Sequence, residues 1–106
     1  MENRYIIENL VAKRCSIDYV FVFKGYTIVV FKNGSNEVID YPLGALEELL
    51  KDQPFFRIHR SYLVNLKRLK ELEIKDNRLM VKIRGHELPV SRRRKRELLD
   101  ILGAVN

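Results

Sequence analysis

Most of the chain alternates apolar and polar positions at a period of two, with turn residues between the runs. Ile17, Tyr19, Phe21 and Phe23 alternate with Ser16, Asp18, Val20 and Val22, which predicts a strand at least partly covered on both faces. Lys24-Gly25 breaks that run and Thr27 to Lys32 resumes it. Asn33-Gly34 predicts a hairpin with a type I′ turn, which needs positive φ at both central positions. Glu37 to Tyr41 is the expected returning strand. Leu72 and Ile74 alternate with Glu71, Glu73 and Lys75, and Asp76-Asn77 follows as a tight turn. Leu79, Val81 and Ile83 then alternate with Arg78, Met80, Lys82 and Arg84 as a half-buried strand. Glu87 to Val90 contains Pro89, which lacks an amide donor and so marks an edge strand. The expected fold is mainly β, an elongated antiparallel meander of hairpins.

Two segments leave this period. Leu43, Leu46, Leu49 and Leu50 fall on one face of a short helix, with Glu47 and Glu48 on its solvent side. Asp40 is its expected N-cap, and Pro42 suits a first turn. A C-terminal helix is predicted to start at the N-cap Ser91 and to end before Gly103. Residues 1–14 read as an N-terminal extension or linker remnant, in which YIIENLVAK suits a short helix, a strand or a linker stub. The folded unit is expected over residues 15–103.

With 106 residues the chain supports one domain. A single cysteine, Cys15, makes no internal disulfide, and two histidines at unrelated spacings offer no zinc site. Met1 to Leu10 lacks the long apolar core of a signal peptide, and no apolar run approaches the ~20 residues of a bilayer span. The reading is of a cytoplasmic protein that uses no membrane.

Charge changes the picture more than composition does. Residues 1–53 hold six Lys/Arg against eight Asp/Glu, whereas residues 54–106 hold fourteen against six. Arg92-Arg93-Arg94-Lys95-Arg96 is an unbroken run of five cations. Such a run adds nothing to folding and points to a polyanionic partner. The run also opens a helix, where cations oppose the positive end of the dipole by a few tenths of a kcal/mol each. The same placement suits phosphate, because free amides and cations then face one anion.

The stretch Phe55 to Asn65 reads F-F-R-I-H-R-S-Y-L-V-N, and Leu88 to Arg92 reads L-P-V-S-R. With two alternating strands between them and a Leu-rich helix before them, they resemble the LytTR family of bacterial DNA-binding domains. The resemblance covers roughly Ser16 to Leu102. It implies small antiparallel sheets with a short helix packed between them. It also implies pairs of domains on direct repeats in promoter DNA, with loops entering successive major grooves. Here Pro42 stands where the family carries a small hydroxyl cap.

By that resemblance Lys24 and Arg92 are the base-contacting residues, with Tyr26 touching DNA beside the first turn. A lysine ammonium reaches guanine O6 or N7, and an arginine binds guanine bidentately. Arg60, Ser61, Arg93, Arg94 and Lys95 are assigned to the phosphate backbone. His59 and Asn65 are expected to make hydrogen bonds within the protein. Regular alternation would put Ile58 and Arg60 on one side of their strand, with Arg57, His59 and Ser61 on the other.

No paired carboxylates, phosphate loop or metal-ligand set is evident, so neither an enzyme nor a cofactor is expected. The expected function is sequence-specific duplex binding as the output domain of a two-component response regulator; either a receiver domain lies outside these residues or the protein acts without one. The competing readings are an RNA-binding β-module and a basic protein-interaction domain. The strand aromatics Tyr19, Phe21, Phe23 and Phe31 read as core, which weighs against base stacking on RNA.

Overall fold

The alternating runs form antiparallel strands in two sheets. A computed structural model describes residues 2–103, with side chains from residue 7 onward. In chain order the elements are α1 (Glu2–Ala12), β1 (Ile17–Phe23), β2 (Tyr26–Phe31), β3 (Asn36–Ile39) and α2 (Leu43–Leu49). There follow β4 (Phe55–His59), β5 (Tyr62–Asn65), β6 (Glu71–Lys75), β7 (Arg78–Ile83), β8 (His86–Pro89) and α3 (Arg92–Ile101). Residues 2–12 are thus helical, and Ile7 and Leu10 of α1 are buried.

Among the described residues the larger sheet has the order β3-β2-β1-β5-β4 and the smaller β6-β7-β8. The larger sheet is therefore not a simple meander. α2 carries the chain back, and the β4–β5 hairpin docks beside β1, with Tyr19, Val20 and Phe21 opposite Val64, Leu63 and Tyr62. This makes β1 the central strand, which its apolar residues on both faces allow. Pro89 does lie on an edge strand, opposite Met80.

The two faces of the larger sheet are covered differently. Ile17, Val20, Val29, Phe31, Ile39 and Leu63 pack with α1 and with Leu43, Leu46 and Leu50 of α2. Tyr19, Val30, Phe56, Ile58 and Val64 pack with Leu79, Val81, Ile83 and Leu88 of the smaller sheet and Leu98 of α3. α2 consequently caps one face of the larger sheet and does not separate the sheets, as the resemblance had implied. Full burial of Leu46 alone contributes about 1.5–3 kcal/mol. The molecule measures 46 × 27 × 25 Å, elongated as expected.

Three local expectations need correction. Asp40 is not the N-cap of α2, because the chain enters the helix at Pro42 with φ −65° and ψ 146°. Leu49 is exposed, since α2 ends there and only Leu43, Leu46 and Leu50 turn inward. The β2–β3 connection is not a two-residue type I′ turn, because Gly34 takes positive φ and Asn33 does not. Asn33 Oδ1 instead accepts from the Ser35 amide at 2.9 Å and from Ser35 Oγ at 2.7 Å, holding a wider loop. Paired positive φ values occur at Lys24-Gly25, Asp76-Asn77 and Arg84-Gly85, so those are the tight hairpins.

Candidate nucleic-acid interface

The register of β1 against β5 decides where the candidate contacts lie. Phe21 stands opposite Tyr62, and the Val22 amide donates to the Ser61 carbonyl at 3.0 Å. The Lys24-Gly25 turn and the Arg60-Ser61 turn therefore leave the same end of the larger sheet. α3 reaches this end as well, because the Ser91 amide donates to the Ile58 carbonyl at 2.8 Å. Arg57, His59, Arg60, Ser91, Arg93 and Arg94 line one cleft of about 400 Å³ between the β4–β5 turn and the start of α3. The three regions singled out in the sequence thus meet at one end of the molecule.

Each candidate side chain has a distinct setting there. Lys24, at φ 51°, is exposed, with its Nζ 5.5 Å from the centre of the Phe23 ring. Tyr26 stands directly opposite Phe23 and is 62% exposed. Phe23 itself is 57% exposed, so it is not core as its alternation had implied. Tyr19 is buried and Phe21 half-buried against the smaller sheet, and Phe31 is buried in the cluster with α1 and α2, whereas Phe23 ends β1 beside the turn. Arg60 is exposed and Ser61 half-buried.

The β4–β5 register shifts between Arg57 and His59, yet burial alternates through β4 to His59, where the strand ends. Ile58 is fully buried, whereas Arg60 is exposed in the turn that follows the strand. Arg57 reaches toward α2, and His59 lies edge-on to Tyr62 with ring centres 5.6 Å apart. His59 Nδ1 accepts from the Ser61 amide at 3.0 Å, an internal role as expected. Burial, aided by the nearby Arg60 and Arg57 charges, holds its pKa below the ordinary value and favours the neutral ring. Asn65 is likewise internal: its Nδ2 donates to the Ile17 carbonyl at 2.9 Å and its Oδ1 accepts from the Lys67 amide.

Ser91 occupies the N-cap position of α3, but its hydroxyl makes no capping bond. No acidic residue sits in the first turn, and while the Arg94 and Lys95 amides both donate to the Ser91 carbonyl at 3.1 Å, the Arg92 and Arg93 amides that precede them are the ones left to an outside acceptor. Arg92, Arg93 and Lys95 are exposed, and among the described residues no ion pair engages them. Arg94 is half-buried, stacked 6.0 Å from the Phe56 ring and 3.7 Å from Glu97. Leu98 anchors the helix beneath.

Elsewhere several cations are paired, although Lys32, Lys67, Lys70 and Arg78 have no ion pair among the described residues. Lys82 lies 3.2 Å from Glu73 and 3.8 Å from both Glu71 and Glu87, and these carboxylates raise its pKa, Glu73 most. Lys75 pairs with Glu87 at 3.1 Å. Arg84 and Arg68 approach the buried Asp18 at 2.7 Å and 3.8 Å. Lys24, Arg60, Arg92, Arg93 and Lys95, none of them in an ion pair among the described residues, lie at the end where the two turns and α3 meet.

Four residues with clear roles escaped the sequence reading. Asp18 and Arg84 join β1 to the β7–β8 turn, and Arg57 and Glu47 join β4 to α2. Glu47 is therefore not simply on a solvent face. These pairs are separated by 66 and 10 positions, and no local pattern reports such contacts. Among the described residues no group of three or more His, Cys, Asp or Glu side chains is placed to hold a metal ion. Nor is any helix of those residues long and apolar enough to cross a membrane.

Comparison with known proteins points to one family. A family model described as the LytTr DNA-binding domain matches residues 9–103. A sensory transduction protein LytT from Oceanobacillus iheyensis is 41% identical over 78 residues, covering 68% of this chain and 32% of that protein. A response regulatory protein from Vibrio cholerae is 43% identical over 60 residues, covering 55% of this chain and 25% of that protein. The chain thus spans a quarter to a third of the curated relatives it matches. A solved LytTr DNA-binding domain from Bacillus cereus superposes with a TM-score of 0.74 at 26% identity, covering 84% of this chain and 83% of that one.

Proposed function

Because this chain belongs to the LytTr DNA-binding domain family, we propose that it regulates transcription as the output domain of a two-component response regulator. In this reading it acts in the cytoplasm, in pairs on direct repeats of promoter DNA, under the control of a receiver domain. Lys24 and Arg92 read bases from the first turn and the start of α3, and Tyr26 touches DNA beside Lys24. Arg60, Ser61, Arg93, Arg94 and Lys95 hold the phosphate backbone. The unit that binds is residues 15–103, with the preceding segment an extension docked on it.

The observation that carries this reading is the charge partition. Lys75 and Lys82 of the smaller sheet are paired with carboxylates, while Arg92, Arg93 and Lys95 have no ion pair among the described residues and lie beside the Arg60 turn. A duplex lying along that end meets cations and free helix amides together. Four phosphate contacts from Arg60, Arg93, Arg94 and Lys95 give a log–log salt slope of about −3.6.

Lys95→Ala is expected to weaken binding to all duplexes alike and to reduce that slope by about 0.9. Fluorescence anisotropy on two unrelated duplexes across a salt series measures both. A change in the ratio of the two affinities at constant slope would remove Lys95 from the backbone set.

A further inference from the structure

Arg57 lines the same cleft as Arg60, yet its donors are already committed within the protein. Its Nε donates to the His59 carbonyl at 3.0 Å and its Nη2 to the Arg60 carbonyl at 2.6 Å. Its Nη1 donates to Glu47 Oε1 of α2 at 2.8 Å, and only 17% of the side chain is exposed. One planar guanidinium therefore grips two successive carbonyls of the β4–β5 turn and anchors them to a helix on the far side of the strand. The turn is held from its other side by the Ser61 amide bonded to His59 Nδ1. Only a planar fork can meet three acceptors in this way, and a lysine ammonium cannot reproduce it.

We propose that Arg57 is a positioning residue that fixes the Arg60 turn before DNA arrives, with Glu47 as the counterion that holds the fork in place. The inference rests on the reading that Arg60 meets the duplex. Ordering the turn in advance removes a cost that binding would otherwise carry, so Arg57 acts on affinity without touching DNA.

The test uses Arg57→Lys, Arg57→Gln, Glu47→Gln and Arg60→Ala in the full chain, with a mixed-sequence duplex of about three helical turns as probe. Arg57→Lys keeps the charge and loses the fork. It is expected to weaken binding roughly three- to tenfold at every salt concentration with the slope unchanged. Amide exchange at Ser61 is expected to accelerate in the free protein. Glu47→Gln shifts both readouts the same way by less.

Wild-type affinity in Arg57→Lys overturns the proposal, and so does a slope reduced by about 0.9 in Arg57→Gln, which marks a phosphate contact. Should circular dichroism show Arg57→Lys unfolded, Glu47→Gln decides: weaker binding at constant slope supports the proposal and wild-type binding overturns it. Wild-type affinity and slope in Arg60→Ala would instead sink the underlying reading, and faster Ser61 exchange in Arg57→Lys would still register separately.

Discussion

Arg92→Ala is expected to flatten the preference of this domain among duplex sequences while leaving most of its general affinity for DNA in place. The expected loss is about 1–3 kcal/mol of discrimination at one base position, the worth of a bidentate arginine–guanine contact. Arg92 differs from its neighbours in setting. It leads α3, is exposed, and stays outside the cleft that Arg93 and Arg94 line. A side chain there can extend into a groove while the next residues hold the backbone. Selection from a randomised duplex pool, repeated with wild type and variant, measures the effect position by position. A uniform loss across all sequences, with the salt slope reduced by about 0.9, would reassign Arg92 to phosphate.

Arg84→Ala is expected to destabilise the fold by about 2–4 kcal/mol, the largest effect of any surface substitution proposed. The reason is asymmetry within the pair. Asp18 is almost fully buried, whereas 42% of the Arg84 side chain is exposed. Removing the arginine leaves a buried carboxylate facing only Arg68, 3.8 Å away. Removing the carboxylate leaves arginines that can turn to water, so Asp18→Asn is expected to cost less, about 1–2 kcal/mol. Urea denaturation of both variants and the double variant tests the order. Equal costs, or a costlier Asp18→Asn, would show that the arginine is not what keeps the buried charge tolerable. Both residues lie away from the turns proposed to face DNA, so the folded variants should keep their salt slope.

What the sequence made legible and what it hid follow from range. Alternation and turn chemistry located β1, β2, β7 and β8 and the Asp76-Asn77 turn, because those signals act over a few residues. The Leu43-Leu46-Leu50 stripe and the Ser91 to Gly103 span marked α2 and α3 for the same reason. The docking of β5 on β1 was not legible, since it joins residues more than forty positions apart, such as Tyr19 and Val64. Nor was the end of β4 at His59, which leaves Arg60 in the turn that follows and not beside Ile58. The charged run at 92–96 was plain in the sequence. That the Lys24 and Arg60 turns share its end of the molecule depends on the β1–β5 register and on the Ser91 to Ile58 hydrogen bond. Asp18 read as an ordinary polar position in a strand, and only its burial beside Arg84 explains it.

In the proposed complex two hairpin turns and the start of α3 form one DNA-binding surface. Backbone amide shifts recorded while the labelled protein is titrated with a mixed-sequence duplex address it directly. Perturbations are expected at Lys24 to Tyr26, Arg60 to Tyr62 and Arg92 to Lys95, with little change at Asn33 to Ser35 or Leu66 to Arg68 at the opposite end of the sheet. Perturbations confined to that opposite end, with the two turns and α3 silent, would contradict it.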